Sequence, residues 1–202
     1  MMNRLPGGRA SSIAAIDRLV DGQREVTILD AGTGGGDMPL AFMRHAANGT
    51  RWRVVALDVR GEVLEVAASR LDGHDGMTMM LGDVRSLPLA DEAVDVAHAS
   101  LVLHHLEPDE VGVALRELAR VSRRGVVIND LRRGIGAFTV TAATVLALAR
   151  GRYTRHDGIL SARRAYRVDE LDRIAASAGL RPLWRTPTWL PRVATAYVRT
   201  DR

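Results

Sequence analysis

The chain reads as an α/β protein built on a doubly wound, mostly parallel sheet. Three observations predict this. Short β-branched runs alternate with helical runs of about ten residues through Asn129. The first run ends in a string of glycines that opens a helix. The 202 residues, 47% hydrophobic and 26% charged, suit one domain able to bury a sizeable core.

Residues 11–20 read as a lead-in helix with Ser11 or Ser12 at its N-cap. Residues 25–31 form strand one, and 37–47 a helix that tolerates Pro39 in its first turn. Strand two is 53–58, followed by a helix over 62–71, strand three over 77–81 and strand four over 94–99. Residues 108–121 repeat apolar side chains at helical spacing (Val111, Leu115, Leu118, Val121) behind a first-turn proline. Strand five is 125–129. A nearly uncharged stretch follows over 134–149, bracketed by Arg132, Arg133, Arg150 and Arg152. Its 16 residues fall short of a membrane span, and suit a buried helix, a lid over an apolar substrate or a helix in peripheral contact with a membrane. Then come a polar loop over 151–167, a helix over 168–178 that stops at Gly179, and closing strands 183–190 and 194–200, a hairpin with Pro191 in its turn.

Composition removes whole chemistries. All 28 basic residues are Arg and there is no Cys. Lysine-dependent phosphate loops and Schiff-base catalysis are excluded, as are thiolate nucleophiles and cysteine metal sites. The six His show no compact metal spacing, so no metal is expected. The pI near 10.5 overstates the basicity, because the net charge is +4. From Arg116 to Arg185 stand 15 Arg against six acids, while the remainder holds 13 Arg against 18 acids. The acidic part suits a cationic ligand and the basic part an anionic one. No apolar leader opens the chain, so a cytoplasmic location is expected.

The strongest motif is Asp30-Ala31-Gly32-Thr33-Gly34-Gly35-Gly36-Asp37. A dinucleotide fingerprint, G-x-G-x-x-G counted from Gly32, fails at Asp37, which disfavours a nicotinamide dehydrogenase. The spacing that fits is D-x-G-x-G-x-G, with Asp30, Gly32, Gly34 and Gly36. In this motif the chain resembles the class I S-adenosylmethionine-dependent methyltransferases, from about Glu25 to Leu131, and in Leu103-His104-His105-Leu106 it is similar to their ubiquinone/menaquinone branch. That resemblance implies a Rossmann-like fold of seven strands with an antiparallel last strand and a small helical lid. In one domain over 1–202, the cofactor core would take about 24–131, the lid about 132–167 and the closing elements 168–202. It implies S-adenosyl-L-methionine held by the glycine loop and by Asp58, which closes strand two and would accept the ribose hydroxyls. Val59 follows it. Asp83 would take the adenine amino group, the Val84 backbone N–H would donate to the ring, and Ser100 stands where strand four meets the cofactor.

The acceptor benefits from a base near neutral pKa, and His is the natural one. Candidates are His104 and His105 in Leu103-His104-His105-Leu106, and His156 in the polar loop. The resemblance implies a small, partly hydrophobic acceptor of phenolic, quinol or polyketide type, as in secondary metabolism. No DNA substrate is expected: no Asn/Asp-Pro-Pro-Tyr/Phe motif follows strand four, and aromatic content is 4%. The basic second half leaves an RNA methyltransferase as the alternative, and a cofactor-binding non-catalytic homologue is the other. Oligomeric state is not legible.

Overall fold

The computed structural model describes residues 8–46, 50–133, 164–190 and 192–201. Helix α1 (Arg9–Val20) leads into β1 (Glu25–Ala31), α2 (Asp37–Ala46), β2 (Arg51–Asp58), α3 (Gly61–Leu71), β3 (Met77–Leu81) and β4 (Val94–Ser100). A 3-10 turn (Leu103–His105), α4 (Pro108–Val121) and β5 (Ser122–Leu131) follow, then α5 (Val168–Ser177), β6 (Leu180–Arg185) and β7 (Arg192–Arg199). The seven strands lie in the order β3-β2-β1-β4-β5-β7-β6. Strands β1 to β5 pair in parallel, and β7 runs antiparallel to both neighbours. All five parallel strands therefore end at one edge, where ligands bind in such sheets.

Apolar cores cover both faces. Val26, Ile28, Val96 and Val127 pack with Ile16, Phe42 and Trp52 on one side, while Leu29, Val126 and Ile128 pack with Leu115, Leu118 and Tyr197 on the other. Neighbouring residues of β5 thus serve opposite cores, the two-residue period of a strand buried on both faces. Helix α4 forms because Glu107 and Glu110 close a capping box around Pro108. Its Val111, Leu115 and Leu118 are fully buried, each contributing about 1.5–3 kcal/mol.

Several boundaries differ from those the sequence predicts: strand two starts at Arg51 rather than 53, and the closing strands span Leu180–Arg185 and Arg192–Arg199 rather than 183–190 and 194–200. Gly8, not Ser11 or Ser12, stands at the N-cap of α1, and Ser12 turns inward with 0% exposure. Strand β5 runs from Ser122 because α4 passes into it without a loop. Gly125 within it has φ +156°, and a Cβ there would stand 2.2 Å from the Tyr197 carbonyl oxygen, so β7 lies too close for any side chain. Strand β6 starts at Leu180 because Gly179 (φ +75°) turns the chain directly after α5, and the Thr200 N–H closes onto the Gly179 carbonyl at 2.9 Å. Pro191 and the uncharged stretch over 134–149 lie outside the described residues. No helix among the described residues is long and apolar enough to cross a membrane.

Candidate active site

Where β1 ends, the N–H groups of Gly32 and Thr33 both donate to the Leu57 carbonyl, at 2.8 and 2.9 Å, and tie the loop to β2. Gly32 (φ +72°) and Gly34 (φ +54°) lie in the left-handed region that favours glycine. A Cβ on Gly32 would stand 2.4 Å from Val102 Cγ2, whereas one on Gly34 would meet nothing within 4 Å. Gly34 thus faces open space. Its N–H donates to Asp58 Oδ2 at 2.9 Å, and Asp58 Oδ1 accepts the Arg60 N–H at 3.1 Å.

That space is a cavity of about 570 Å³, within the range of small-ligand pockets. Gly32, Gly34 and Asp58 form one end. Val59, Val84, Leu101 and Val102 supply apolar wall, and Val59 is 63% exposed there. Asp83 and Glu110 add carboxylates, bridged by Arg85, which bonds both. The Arg85 guanidinium holds the Asp83 carboxyl below the usual carboxylate range.

Beyond β4, Leu101 takes φ +59°, a conformation costly for a residue with a side chain, and its N–H donates to the Asn129 carbonyl at 3.1 Å. The 3-10 turn follows. His104 Nδ1 stands 2.6 Å from Asp130 Oδ1, with both side chains buried. Asp130 also accepts the N–H groups of Leu103 at 2.9 Å and Leu131 at 2.7 Å. Burial pushes the Asp130 carboxyl up, but His104, the Leu131 N–H and the Arg192 charge outweigh it and hold the group below its ordinary value. His105 packs on His104 with ring centroids 4.1 Å apart, and it lines the cavity.

Residues 28–125 match a methyltransferase-domain family. Over just under half of its length the chain thus carries a methyltransferase domain. It is 37% identical over 101 residues to a malonyl-[acyl-carrier protein] O-methyltransferase of Serratia marcescens, across 50% of this chain and 36% of that one. It is 34% identical over 119 residues to a demethylmenaquinone methyltransferase of Thermobifida fusca, across 58% and 46%. The chain thus spans less than half the length of these curated relatives. Its fold matches a SAM-dependent methyltransferase structure from Aquifex aeolicus with TM-score 0.67 and 21% identity, covering 93% of this chain and 89% of that one.

The residues of this site fit the cofactor that the resemblance implies. A carboxylate offers about four lone-pair sites, so Asp58, with two N–H donors bound, retains acceptor capacity for a vicinal diol. Three carboxylates (Asp58, Asp83 and Glu110) and an apolar wall suit a cationic sulfonium joined to adenosine, and Gly34 leaves the backbone approachable. Among the described residues no group of three or more His, Asp or Glu could hold a metal ion.

The cavity gathers Gly32, Gly34, Asp58, Val59, Asp83, Val84 and His105 of the residues expected to serve cofactor and acceptor. Four others stand off it. Asp30 is 1% exposed and is spent on Thr33 Oγ1 at 2.8 Å and His98 Nδ1 at 2.7 Å, so it stiffens the loop from below. Gly36 backs onto α3, where a Cβ would stand 2.9 Å from Leu71 Cδ1. Ser100 accepts a hydrogen bond from Arg192, and His104 is committed to Asp130. His156 lies outside the described residues. Arg60, Arg85, Leu106 and Glu110 line the cavity without having been singled out. Arg85 and Glu110 carry no joint signal in sequence, because only the docking of α4 brings them together.

A buried polar chain runs beneath the site. His98 Nδ1 faces Asp30, and Nε2 faces Ser12 Oγ at 2.8 Å. Ser12 Oγ accepts Asn129 Nδ2–H at 2.7 Å, and Asn129 Oδ1 accepts Arg192 Nε–H at 2.7 Å. Ser12, His98 and Asn129 are all satisfied with the His98 proton on Nδ1 and Ser12 donating to Nε2. The Ser-His-Asp order resembles a hydrolytic triad, but Ser12 and His98 are both 0% exposed, so no substrate reaches them. Its role is structural.

Proposed function

We propose that the protein transfers a methyl group from S-adenosyl-L-methionine to a small, partly apolar acceptor, a phenolic, quinol or polyketide-type hydroxyl or carbon. One observation carries this reading: the glycine loop, the Asp58 carboxylate and the His105 ring meet on a single cavity. Bound there, the cofactor supplies an electrophilic methyl group on a sulfonium. Asp58 and Asp83 accept hydrogen bonds from its hydroxyl and amino groups, and Val59, Val84 and Leu101 exclude water from its ring. In-line displacement is served mainly by alignment, which a rigid loop and the strained Leu101 corner provide. His105 receives the acceptor proton on its ring nitrogen. His104, held by Asp130 and packed against His105, is a positioning residue.

The relatives named for malonyl-[acyl-carrier protein] and demethylmenaquinone support a small or carrier-borne acceptor. Calorimetry with S-adenosylhomocysteine and with NADH tests the cofactor. Binding of the former alone is expected, and binding of NADH alone overturns the reading. Incubation with methyl-labelled cofactor and an organic-soluble host extract then identifies the acceptor by its labelled product.

A further inference from the structure

Arg192 opens β7 at the carboxyl edge of the sheet, paired with Leu131. It is 4% exposed. Its Nε–H donates to Asn129 Oδ1, and Nη2 donates to Ser100 Oγ and to the Asn129 carbonyl, but Nη1 has no partner. The acid that acts on it electrostatically, Asp130, is bonded to His104 and to two backbone N–H groups. Burial pulls the guanidinium pKa down to about 10, which leaves it charged at neutral pH. A buried cation with an orphaned donor is expensive unless something pairs it.

Other unsatisfied donors adjoin it through Asn129, which also donates Nδ2–H to the Gly8 carbonyl at 2.9 Å. Gly8 starts α1 and no side chain caps that helix, so its first-turn N–H groups present the positive end of the helix dipole. The next residue, Arg9, has a buried Nε without a partner, although its Nη2 pairs with Asp37 at 3.0 Å. Orphaned donors on two guanidinium groups and an uncapped helix start, linked through one Asn side chain, call for an anion.

We propose that this cluster is a binding site for a carboxylate carried by the methyl acceptor, with Arg192 Nη1 as the main donor. The inference rests on the methyltransferase reading and narrows its acceptor to one with a carboxylate beside the partly apolar body. The cofactor has a carboxylate too, but Arg192 is separated from the glycine-loop strand β1 by β4 and β5. It bonds Ser100, the neighbour of the Leu101 cavity wall.

The test uses the full chain saturated with S-adenosylhomocysteine and titrated calorimetrically with benzoate and with neutral, isosteric benzamide. Benzoate is expected to bind at least about tenfold more tightly, as a charge-assisted pair requires, and Arg192→Gln to erase the preference. Equal affinities overturn the proposal. So does benzoate binding only in the absence of S-adenosylhomocysteine, which would give the site to the cofactor's own carboxylate. Failure of S-adenosylhomocysteine to bind at all overturns the methyltransferase reading and this inference with it. If Arg192→Gln does not melt cooperatively, a crystal structure of the wild-type protein with benzoate decides. A carboxylate oxygen on Arg192 Nη1 supports the site, and benzoate elsewhere or nowhere overturns it.

Discussion

Asp58 Oδ2 accepts the Gly34 backbone N–H at 2.9 Å, so the acid that closes β2 also sets the glycine loop against the cavity. Asp58→Ala removes both this brace and the carboxylate proposed to accept two ribose hydroxyls. A hydrogen bond to a charged group is worth about 1.5–3 kcal/mol, so affinity for S-adenosylhomocysteine is expected to fall roughly 10- to 100-fold. Calorimetry checks this, and unchanged affinity would remove Asp58 from the site.

Gly34→Ala separates folding from binding. The methyl group meets no protein atom within 4 Å, so the only folding cost is the left-handed backbone at φ +54°, about 1–2 kcal/mol. The melting temperature should drop by a few degrees while S-adenosylhomocysteine affinity falls by about tenfold or more, because the methyl group occupies ligand space. A large thermal loss with intact affinity would contradict this.

His105→Ala is expected to lower turnover by about 10²–10⁴-fold and to leave S-adenosylhomocysteine affinity nearly unchanged, since the role proposed for its ring is to take the acceptor proton. Single-turnover kinetics beside calorimetry make the comparison. Equal loss in both would assign His105 to cofactor binding.

Asp130 sets an acid limit on stability. Its folded pKa lies below the ordinary value, so the unfolded chain takes up the proton first as pH falls. The stabilisation is therefore complete above about pH 5 and is lost as pH drops below about 4 toward the folded value. Asp130→Asn should cost about 2 kcal/mol near pH 7 in urea unfolding, and the gap from wild type should narrow in that acid window. A gap independent of pH would show that the carboxylate charge does not matter.

The parts of the site legible in sequence are those that depend on neighbouring residues. Glycines at Gly32 and Gly34 announce a turn because only they adopt its φ angles cheaply, and Asp58 and Asp83 announce themselves by closing β-branched runs. Spacing does not say which way a side chain faces. Adjacent His104 and His105 look equivalent in sequence, yet the 3-10 turn buries one on Asp130 and presents the other to the cavity. Asn129 and Asp130 read as the end of a strand, but β5 continues to Leu131 and buries both.

The sequence by itself therefore determined the alternation of strands and helices, the glycine loop and the acids at the strand ends, because these follow from short-range periodicity and turn chemistry. Tertiary structure alone decided that Asp30 supports the loop from below, that Arg85 joins Asp83 to Glu110, and that Ser12 reaches His98 across 86 positions. Those pairings depend on strand register and helix docking. Burial then forces each enclosed polar group to find a partner wherever the fold has put one.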